Sequence, residues 1–466
     1  MLQKCTLALG SLLSLLVVAP VFVGCESDST SKSQSDAGTL TPDDGGIDAN
    51  VPSTCAPLTG TGTKHTTEPT TNETWTAAAS PHVIEGSLSI RAGIAITLEP
   101  CAVVQLKGAI GILVEGKLLA VGIPDKPIRI ERFDAATAWT TIEARKGAEL
   151  RLAYATVEGG GNPNGGALTQ VGAFDIRGDQ ESATQPILFA DHLTVKGSRS
   201  LGILVREGGG FATGSRSLAI TGGASFPISI WGRAAGTLPA GTYTGNATDE
   251  ILLPASGGRD DIKEDTIFAD HGVAYRVGGP TGGGNLIVAG TGSVPLLTLE
   301  PGVTLRFNKG GRLDLDASAN GAIGALRAEG TATKPVVFTS AAASPAAGDW
   351  AGIIIEGAPD PRTKISNARI SYAGGASQIS SFDCPSPVNT GFANEGAILI
   401  VGGKPATAFV TSTTIEKSAG DGIVRGWTGD PVELLASNTF MDIARCNQTY
   451  PKPSVGVCPD PAPCPK

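Results

Sequence analysis

Residues 297–307 read LTLEPGVTLRF, and they contain the pattern that decides the fold. The apolar residues Val303, Leu305 and Phe307 stand two apart, with polar residues between them. This spacing predicts a β-strand with one buried face. Residues 96–106 read ITLEPCAVVQL and repeat both the LEP motif and the alternation. The two stretches predict short strands and suggest that one structural unit occurs twice in the chain.

Three further blocks recur in the same order in the two halves of the chain. The matching blocks are Gly122–Ile130 with Gly330–Phe338, Trp139–Ile142 with Trp350–Ile353, and Leu193–Ile203 with Thr413–Ile423. Their offsets grow along the chain, as expected of a duplication followed by loop insertions. Strands broken by Gly, Pro, Asn and Asp, with few hairpin dipeptides, favour a stacked solenoid over a sandwich or a propeller.

The second half of the chain carries a resemblance to a known family. Residues 297–307, together with GALRAEGTATKPVVFTS at 324–340 and DWAGIIIEG at 349–357, resemble the repeats of exported bacterial parallel β-helix proteins. The resemblance implies an all-β, right-handed parallel β-helix of pectate-lyase-like fold, formed here by two tandem copies of a unit of about 200 residues. This fold supports lyases, hydrolases, adhesins and scaffolds, so it does not indicate a function by itself.

The resemblance and the composition together predict the domain organisation. The predicted segments are a signal peptide (1–24), a disordered tether (25–64), a parallel β-helix (65–446) and a C-terminal tail rich in Pro and Cys (447–466). Within the helix, copy one covers about 72–232, a connector covers 233–263 and copy two covers about 264–446. The tether is rich in Ser, Thr, Asp, Gly and Pro and contains too few large apolar residues to form a core.

The N-terminus carries an export signal. Lys4 precedes the apolar run Leu7–Val23, which is typical of a signal peptide. Residues 22–25, Phe-Val-Gly-Cys, resemble a lipobox, although Phe22 replaces the usual leucine. The resemblance implies acylation of Cys25 and anchoring in the outer membrane of a Gram-negative bacterium. Ordinary secretion with cleavage nearby is the alternative.

The composition excludes one class of partner. The chain has 35 Lys and Arg against 44 Asp and Glu, a net charge of −9, and no basic stripe, which argues against nucleic-acid binding. Aromatic residues make up only 5% of the sequence, whereas 63 of its 466 residues are glycine. This balance suits a solenoid of short strands and tight turns better than a large globular core.

Six cysteines remain after Cys5 and the predicted anchor Cys25. An even number in an exported chain predicts disulfides. The preferred pairing is Cys55–Cys101, Cys384–Cys446 and Cys458–Cys464, with other connectivities left open. A zinc site is the alternative, but the sequence has no Cys-x-x-Cys pair and only four histidines. We therefore predict no metal site and no cofactor.

The search for catalytic residues gives no candidate. Residues 259–265, RDDIKED, form the densest charged cluster and are interpreted as a solvated connector, with calcium binding as the alternative. Asp191-His192 and Asp270-His271 invite acid–base roles, but they fall at non-equivalent places in the two copies. Adjacent strand residues also point to opposite faces, so both pairs are interpreted as coincidental.

The positions of four tryptophans in the repeat predict their roles. Trp139 and Trp350 are equivalent in the two copies, which predicts a role in core packing. Trp231 and Trp427 lie near the ends of the copies and are the candidates for glycan contact. The insertion at 376–394 contains Cys384 and predicts a disulfide-supported binding loop.

The sequence predicts a non-catalytic cell-surface lipoprotein. Its β-helix would be a scaffold that binds polysaccharide, or partners in the envelope or on another cell, while the lipid anchor contacts the membrane. A carbohydrate-active lyase or hydrolase is the first alternative, and it would require Asp, Arg and Lys from successive coils to meet in one groove. A passive spacer is the second, and it would show a smooth polar surface.

Overall fold

A computed structural model describes residues 53–163, 171–180, 185–258, 260–279, 282–315, 321–380, 382–388 and 393–466. The predicted signal peptide, the lipidation residue Cys25 and most of the predicted tether lie outside the described residues. Its regular secondary structure is almost entirely short β-strands, joined by turns and loops. Two 3₁₀ turns interrupt them, at Ala77–Ala79 and Gly232–Thr237. No helix among the described residues is long and apolar enough to cross a membrane.

Two large parallel sheets, here named A and B, contain most of the described strands. Sheet A consists of Thr63–His65, Glu73–Trp75, His82–Ile84, Ala95–Leu98, Val103–Leu106, Lys117–Val121, Ile128–Arg132, Glu149–Glu158, Gln185–Lys196, Gly209–Phe211, Arg216–Thr221 and Gly241–Thr242. Sheet B consists of Leu88–Ile90, Ile112–Val114, Ile142–Ala144, Gly172–Arg177, Leu201–Arg206, Ile228–Ile230, Glu250–Leu253, Ala274–Val277, Thr304–Phe307, Val336–Ser340, Ala368–Ser371, Thr414–Glu416 and Thr439–Met441.

Two smaller sheets, C and D, accompany sheet B through the second half of the chain. Sheet C consists of Thr266–Phe268, Leu296–Leu299, Ala325–Glu329, Lys364–Ser366 and Val410–Thr411. Sheet D consists of Asn285–Thr291, Arg312–Leu315, Gly352–Gly357, Gly396–Gly402 and Asp421–Gly426, with Gly321–Ile323 added antiparallel. Two antiparallel pairs complete the described strands, Ile379–Ser380 with Ala393–Asn394 and Asp383–Cys384 with Tyr450–Pro451.

Neighbouring strands in each large sheet are far apart in sequence because the chain passes through the other sheets before it returns. One inward-facing row therefore follows sheet B along almost its whole length. The row contains Ile112, Ile142, Phe174, Ile203, Ile228, Ile251, Tyr275, Leu305, Phe338, Ile370 and Ile415. All are buried in one continuous core. The alternation read from the sequence produces this apolar column, and the parallel sheets agree with the predicted β-helix.

The stretches that the sequence analysis paired lie in different sheets. Ile96–Leu98 belongs to sheet A, whereas Leu297–Leu299 belongs to sheet C. Likewise Ile142 lies in sheet B and Ile353 in sheet D. The change of sheet follows Ser256 and Ile262, which bridge to Asn285–Thr291, the first strand of sheet D.

The structure contains three disulfides, of which one was predicted correctly. Cys55–Cys101 is present, with a Cα–Cα distance of 5.4 Å. The other two predicted pairings are wrong, because the C-terminal tail folds back over the end of the solenoid. Cys458 reaches Cys384 in the inserted loop, and Cys464 reaches Cys446. Three disulfides indicate an extracytoplasmic protein, since such bonds persist in oxidising compartments.

Contacts with the body begin before residue 65. The backbone N–H of Thr54 donates to the carbonyl of Asp125 at 2.7 Å, and Thr63–His65 forms the first strand of sheet A. Together with the Cys55–Cys101 disulfide, these contacts hold the end of the predicted tether against the solenoid.

The inserted loop covers part of sheet D. Ile354, Leu399, Val401 and Val424 alternate with inward-facing residues and form a second apolar cluster on the outer side of this sheet. Ile379, from the loop, packs against that cluster. The described part of the loop thus shields an apolar face, which gives it a structural role that the binding-loop interpretation did not foresee.

Candidate functional site

A concave surface lies on the outer face of sheet B, across its first three strands. The row Ser89, Leu113 and Glu143 is in register on neighbouring strands. These three side chains face outward because the residues on either side of each one are buried in the core. They form the floor of a groove with a volume of about 360 Å³.

The rims of this groove, here named the sheet B groove, carry polar groups. Its lining residues are Ser87, Leu88, Ser89, Gly111, Ile112, Leu113, Thr140, Thr141, Glu143, Asn162 and Val171. Gly111 lets one rim approach closely, because a Cβ at this position would lie 2.6 Å from Thr140 Oγ1. Thr141 Oγ1 is buried without a hydrogen-bond partner among the described residues. The groove therefore combines an apolar patch with hydroxyl, amide and carboxylate groups.

An ion-pair network fixes the one carboxylate in the lining. Glu143 Oε1 accepts hydrogen bonds from Arg145 Nε at 2.8 Å and from Arg177 Nη1 at 3.2 Å. Arg177 also contacts both carboxylate oxygens of Glu207, and this pairing raises the pKa of the Arg177 guanidinium. Glu143 is thus held by two cations and remains at the edge of the groove.

Asp175 follows Glu143 in the same outward row, on the next strand. Its side chain is buried, and Arg206 donates to both of its oxygens. Burial raises the pKa of Asp175, while Arg206 opposes the rise. A pair of carboxyl groups on neighbouring strands is what a glycoside hydrolase uses, with the raised pKa suiting a general acid. In this structure, however, both groups are held by arginine side chains.

The two tryptophans proposed for glycan contact lie outside the groove. Trp427 is only 2% exposed, and its Nε1 donates to the carbonyl of Asp430 at 3.2 Å. Its ring has no face available for a sugar, because it is buried in the main core. Trp231 is half-buried beside the turn Gly232–Thr237. The expected exposure of Trp427 is therefore wrong, whereas glycan contact by Trp231 stays a prediction.

The structure confirms the packing role of Trp139 and Trp350. Both are completely buried, and each indole donates to a backbone carbonyl of a neighbouring strand. The distances are 2.9 Å from Trp139 to Glu158 and 2.8 Å from Trp350 to Ser371. Gly160 makes room for the first ring, because a Cβ there would lie 2.4 Å from it.

Asp191 and His192 lie on the same side of their strand. The prediction that their side chains point to opposite faces is therefore wrong. His192 adopts a positive φ of 51°, which breaks the alternation. Asp191 Oδ1 contacts His192 Nδ1 at 2.7 Å, and Arg216 donates to both oxygens of Asp191. The imidazole stacks on Tyr154 of the preceding coil, with ring centroids 4.5 Å apart. This cluster lies on sheet A, away from the groove.

The other Asp-His pair and the charged connector are only partly packed into the body, since Asp270 and residues 263–265 are exposed. His271 lies beside Tyr243 and Tyr275, and burial lowers its pKa to about 4. Asp260 and Asp261 are buried, and Asp260 accepts a hydrogen bond from the backbone of Ser256. The solvated-connector interpretation of residues 259–265 is therefore wrong for these two aspartates, because both are buried.

No three His, Cys, Asp or Glu side chains in the described ranges are grouped so that they could hold a metal ion. Sequence reasoning also missed the groove. Ser89, Leu113 and Glu143 are ordinary residues of three separate strands, and only the register of the coils brings them together.

Comparison with known proteins supports the fold for part of the chain. Residues 262–380 match the family model described as a pectate-lyase like beta helix domain. The matched region includes most of sheets C and D and four strands of sheet B. Neither the curated proteins nor the solved structures gave a match. The matched region lies apart from the sheet B groove.

Proposed function

We propose that this protein is a non-catalytic surface lipoprotein whose right-handed β-helix binds polysaccharide in the sheet B groove. The observation that carries the proposal is the row Ser89, Leu113 and Glu143, with hydroxyl and amide groups along its rims. Sugars present hydroxyl groups together with apolar C–H faces, and a lining of this kind complements both. The groups lie on strands of a rigid solenoid, which favours a preformed site.

The proposal also includes a lipid anchor at the N-terminus and a body built from two tandem copies of one unit. Cys25 would carry the lipid, the chain up to about residue 52 would be the tether, and the outer membrane of a Gram-negative bacterium would be the location. The two halves would be tandem copies of one unit, with residues 256–262 displacing the second copy by one side of the coil. Such a displacement explains why matching stretches occupy different sheets.

A polysaccharide lyase or hydrolase is the second candidate, and the neighbouring carboxyl groups of Glu143 and Asp175 favour it. The ion pairs with Arg145, Arg177 and Arg206 favour binding without turnover, since they hold both carboxylates away from a reacting sugar. An envelope protein partner and a passive spacer remain as outcomes of the test.

Leu113→Arg is expected to weaken polysaccharide binding by at least about tenfold. The long cationic side chain would occupy the floor of the groove and displace the apolar contact. Affinity electrophoresis in gels that contain candidate polysaccharides measures the effect. Thr156→Arg is the matched control, because Thr156 faces outward on sheet A, away from the groove. Equal binding by the two variants would contradict the proposed site.

A further inference from the structure

Several buried polar side chains lie together at the C-terminal end of the solenoid. They are found between the last strand of sheet D, Asp421–Gly426, the inserted loop and the tail. The residues are Asp383, Ser386, Asn394, Asp421 and Thr449. The disulfides Cys384–Cys458 and Cys446–Cys464 close this region, here named the C-terminal chamber.

Two carboxylates in the chamber are incompletely hydrogen-bonded. Asp421 is 0% exposed, and its Oδ1 accepts the backbone N–H of Cys446 at 2.9 Å. Asp383 is 7% exposed, and its Oδ1 accepts from Asn394 Nδ2 at 2.7 Å. The Oδ2 atom of each is buried with no hydrogen-bond partner in the described residues. An unsatisfied carboxylate oxygen in such surroundings is costly.

The two carboxylates lie within electrostatic reach of each other, and consecutive residues contact the two aspartates. Asn394 donates to Asp383, and the carbonyl of Glu395 accepts the backbone N–H of Asp421 at 2.8 Å. The negative charge of Asp383 also contributes to a raised pKa at Asp421, after the larger effect of burial.

The basic side chains around the chamber have other partners or act on one carboxylate only. Arg445 Nη2 donates to Glu395 at 2.9 Å, and Arg425 donates to the carbonyls of Thr449 and Val432. Burial raises the pKa of Asp383, and hydrogen bonds from Asn394 and Thr449, together with the charge of Lys452, oppose the rise. A divalent cation would neutralise both carboxylates and engage both free oxygens at once.

We propose that the C-terminal chamber binds one calcium ion between Asp383 Oδ2 and Asp421 Oδ2. Calcium accepts six to eight oxygen ligands in flexible geometry, so backbone carbonyls and water can complete a site with only two carboxylates. Extracellular modules bind calcium with a Kd of about 10⁻⁴ to 10⁻³ M, which suits an exported protein. Bound calcium would join the inserted loop to the last coil.

Equilibrium dialysis with ⁴⁵Ca, together with Tm measurements at pH 8 in EDTA and in calcium, tests this site. The native protein is expected to bind one ion and to show a higher Tm in calcium. Asp421→Asn and Asp383→Asn are each expected to lower calcium affinity at least about tenfold and to lose the Tm shift.

Asp430→Asn is the matched control, because this carboxylate belongs to the same end of the protein and its side chain is 92% exposed. It is expected to retain both calcium binding and the Tm shift. Circular dichroism in EDTA establishes that each variant is folded before calcium is added. Absence of calcium binding by the native protein, or an unchanged Tm shift in Asp421→Asn, would overturn the proposal.

Discussion

Trp350→Ala is expected to lower the free energy of unfolding by about 4 kcal/mol. The Trp350 ring is completely buried and stacks on Phe307, with centroids 4.3 Å apart and planes 5° from parallel. Its removal leaves a cavity between coils and frees the Ser371 carbonyl from its indole donor. Because the core is one continuous column, the surrounding coils cannot collapse into the space without losing register.

Guanidinium titration followed by circular dichroism measures this change. Trp231→Ala is the control, since Trp231 is half-buried and its indole is not part of the column. The control is expected to lose clearly less stability. If both substitutions had the same small effect, the packing role assigned to Trp350 would be incorrect.

Asp421→Asn is expected to remove a pH dependence of stability worth about 4 kcal/mol, measured without divalent cations. Burial raises the pKa of Asp421 from 3.8 to about 7 in the folded protein. Between these two pH values the folded state keeps a proton that the unfolded chain has released. Stability is therefore greatest below the unfolded pKa, falls as the pH rises through this window and levels off above pH 7.

Unfolding titrations at pH 4 and pH 8 in EDTA, on the native protein and the variant, measure this effect. For each protein, the quantity compared is the decrease in the free energy of unfolding from pH 4 to pH 8. Any effect of the amide that is the same at both pH values cancels in this difference. The amide oxygen can still accept the Cys446 N–H, so the variant is expected to fold. A loss that is equal in the two proteins would show that Asp421 does not titrate as described.

The strands and their buried faces were predictable from local sequence. The alternation of Val303, Leu305 and Phe307 is a property of five consecutive residues, and the core follows from it. The packing role of Trp139 and Trp350 was predicted from the matching sequence blocks in which they lie. Both predictions depend on interactions that recur from coil to coil. Such interactions require similar residues at regular spacings, and this pattern can be recognised in the sequence.

The candidate site depends on contacts that produce no recognisable pattern in the sequence. Ser89, Leu113 and Glu143 meet only because three coils stack in one register. The pairing of Cys384 with Cys458 depends on how the tail folds back over the last coil. The positive φ of His192 reverses the usual alternation at a single residue. Local periodicity cannot predict these features, since they depend on contacts between distant parts of the chain or on the backbone of a single residue.

The most direct test of the account is an assay of the purified protein on neutral and acidic polysaccharides. Each sample is read both for binding and for unsaturated or reducing-end products. We expect binding without product, and we expect Leu113→Arg to weaken that binding by at least about tenfold. Release of products by the native protein, with loss of that release in Glu143→Gln, would contradict the account and identify an enzyme. Absence of binding to every polysaccharide would equally contradict it.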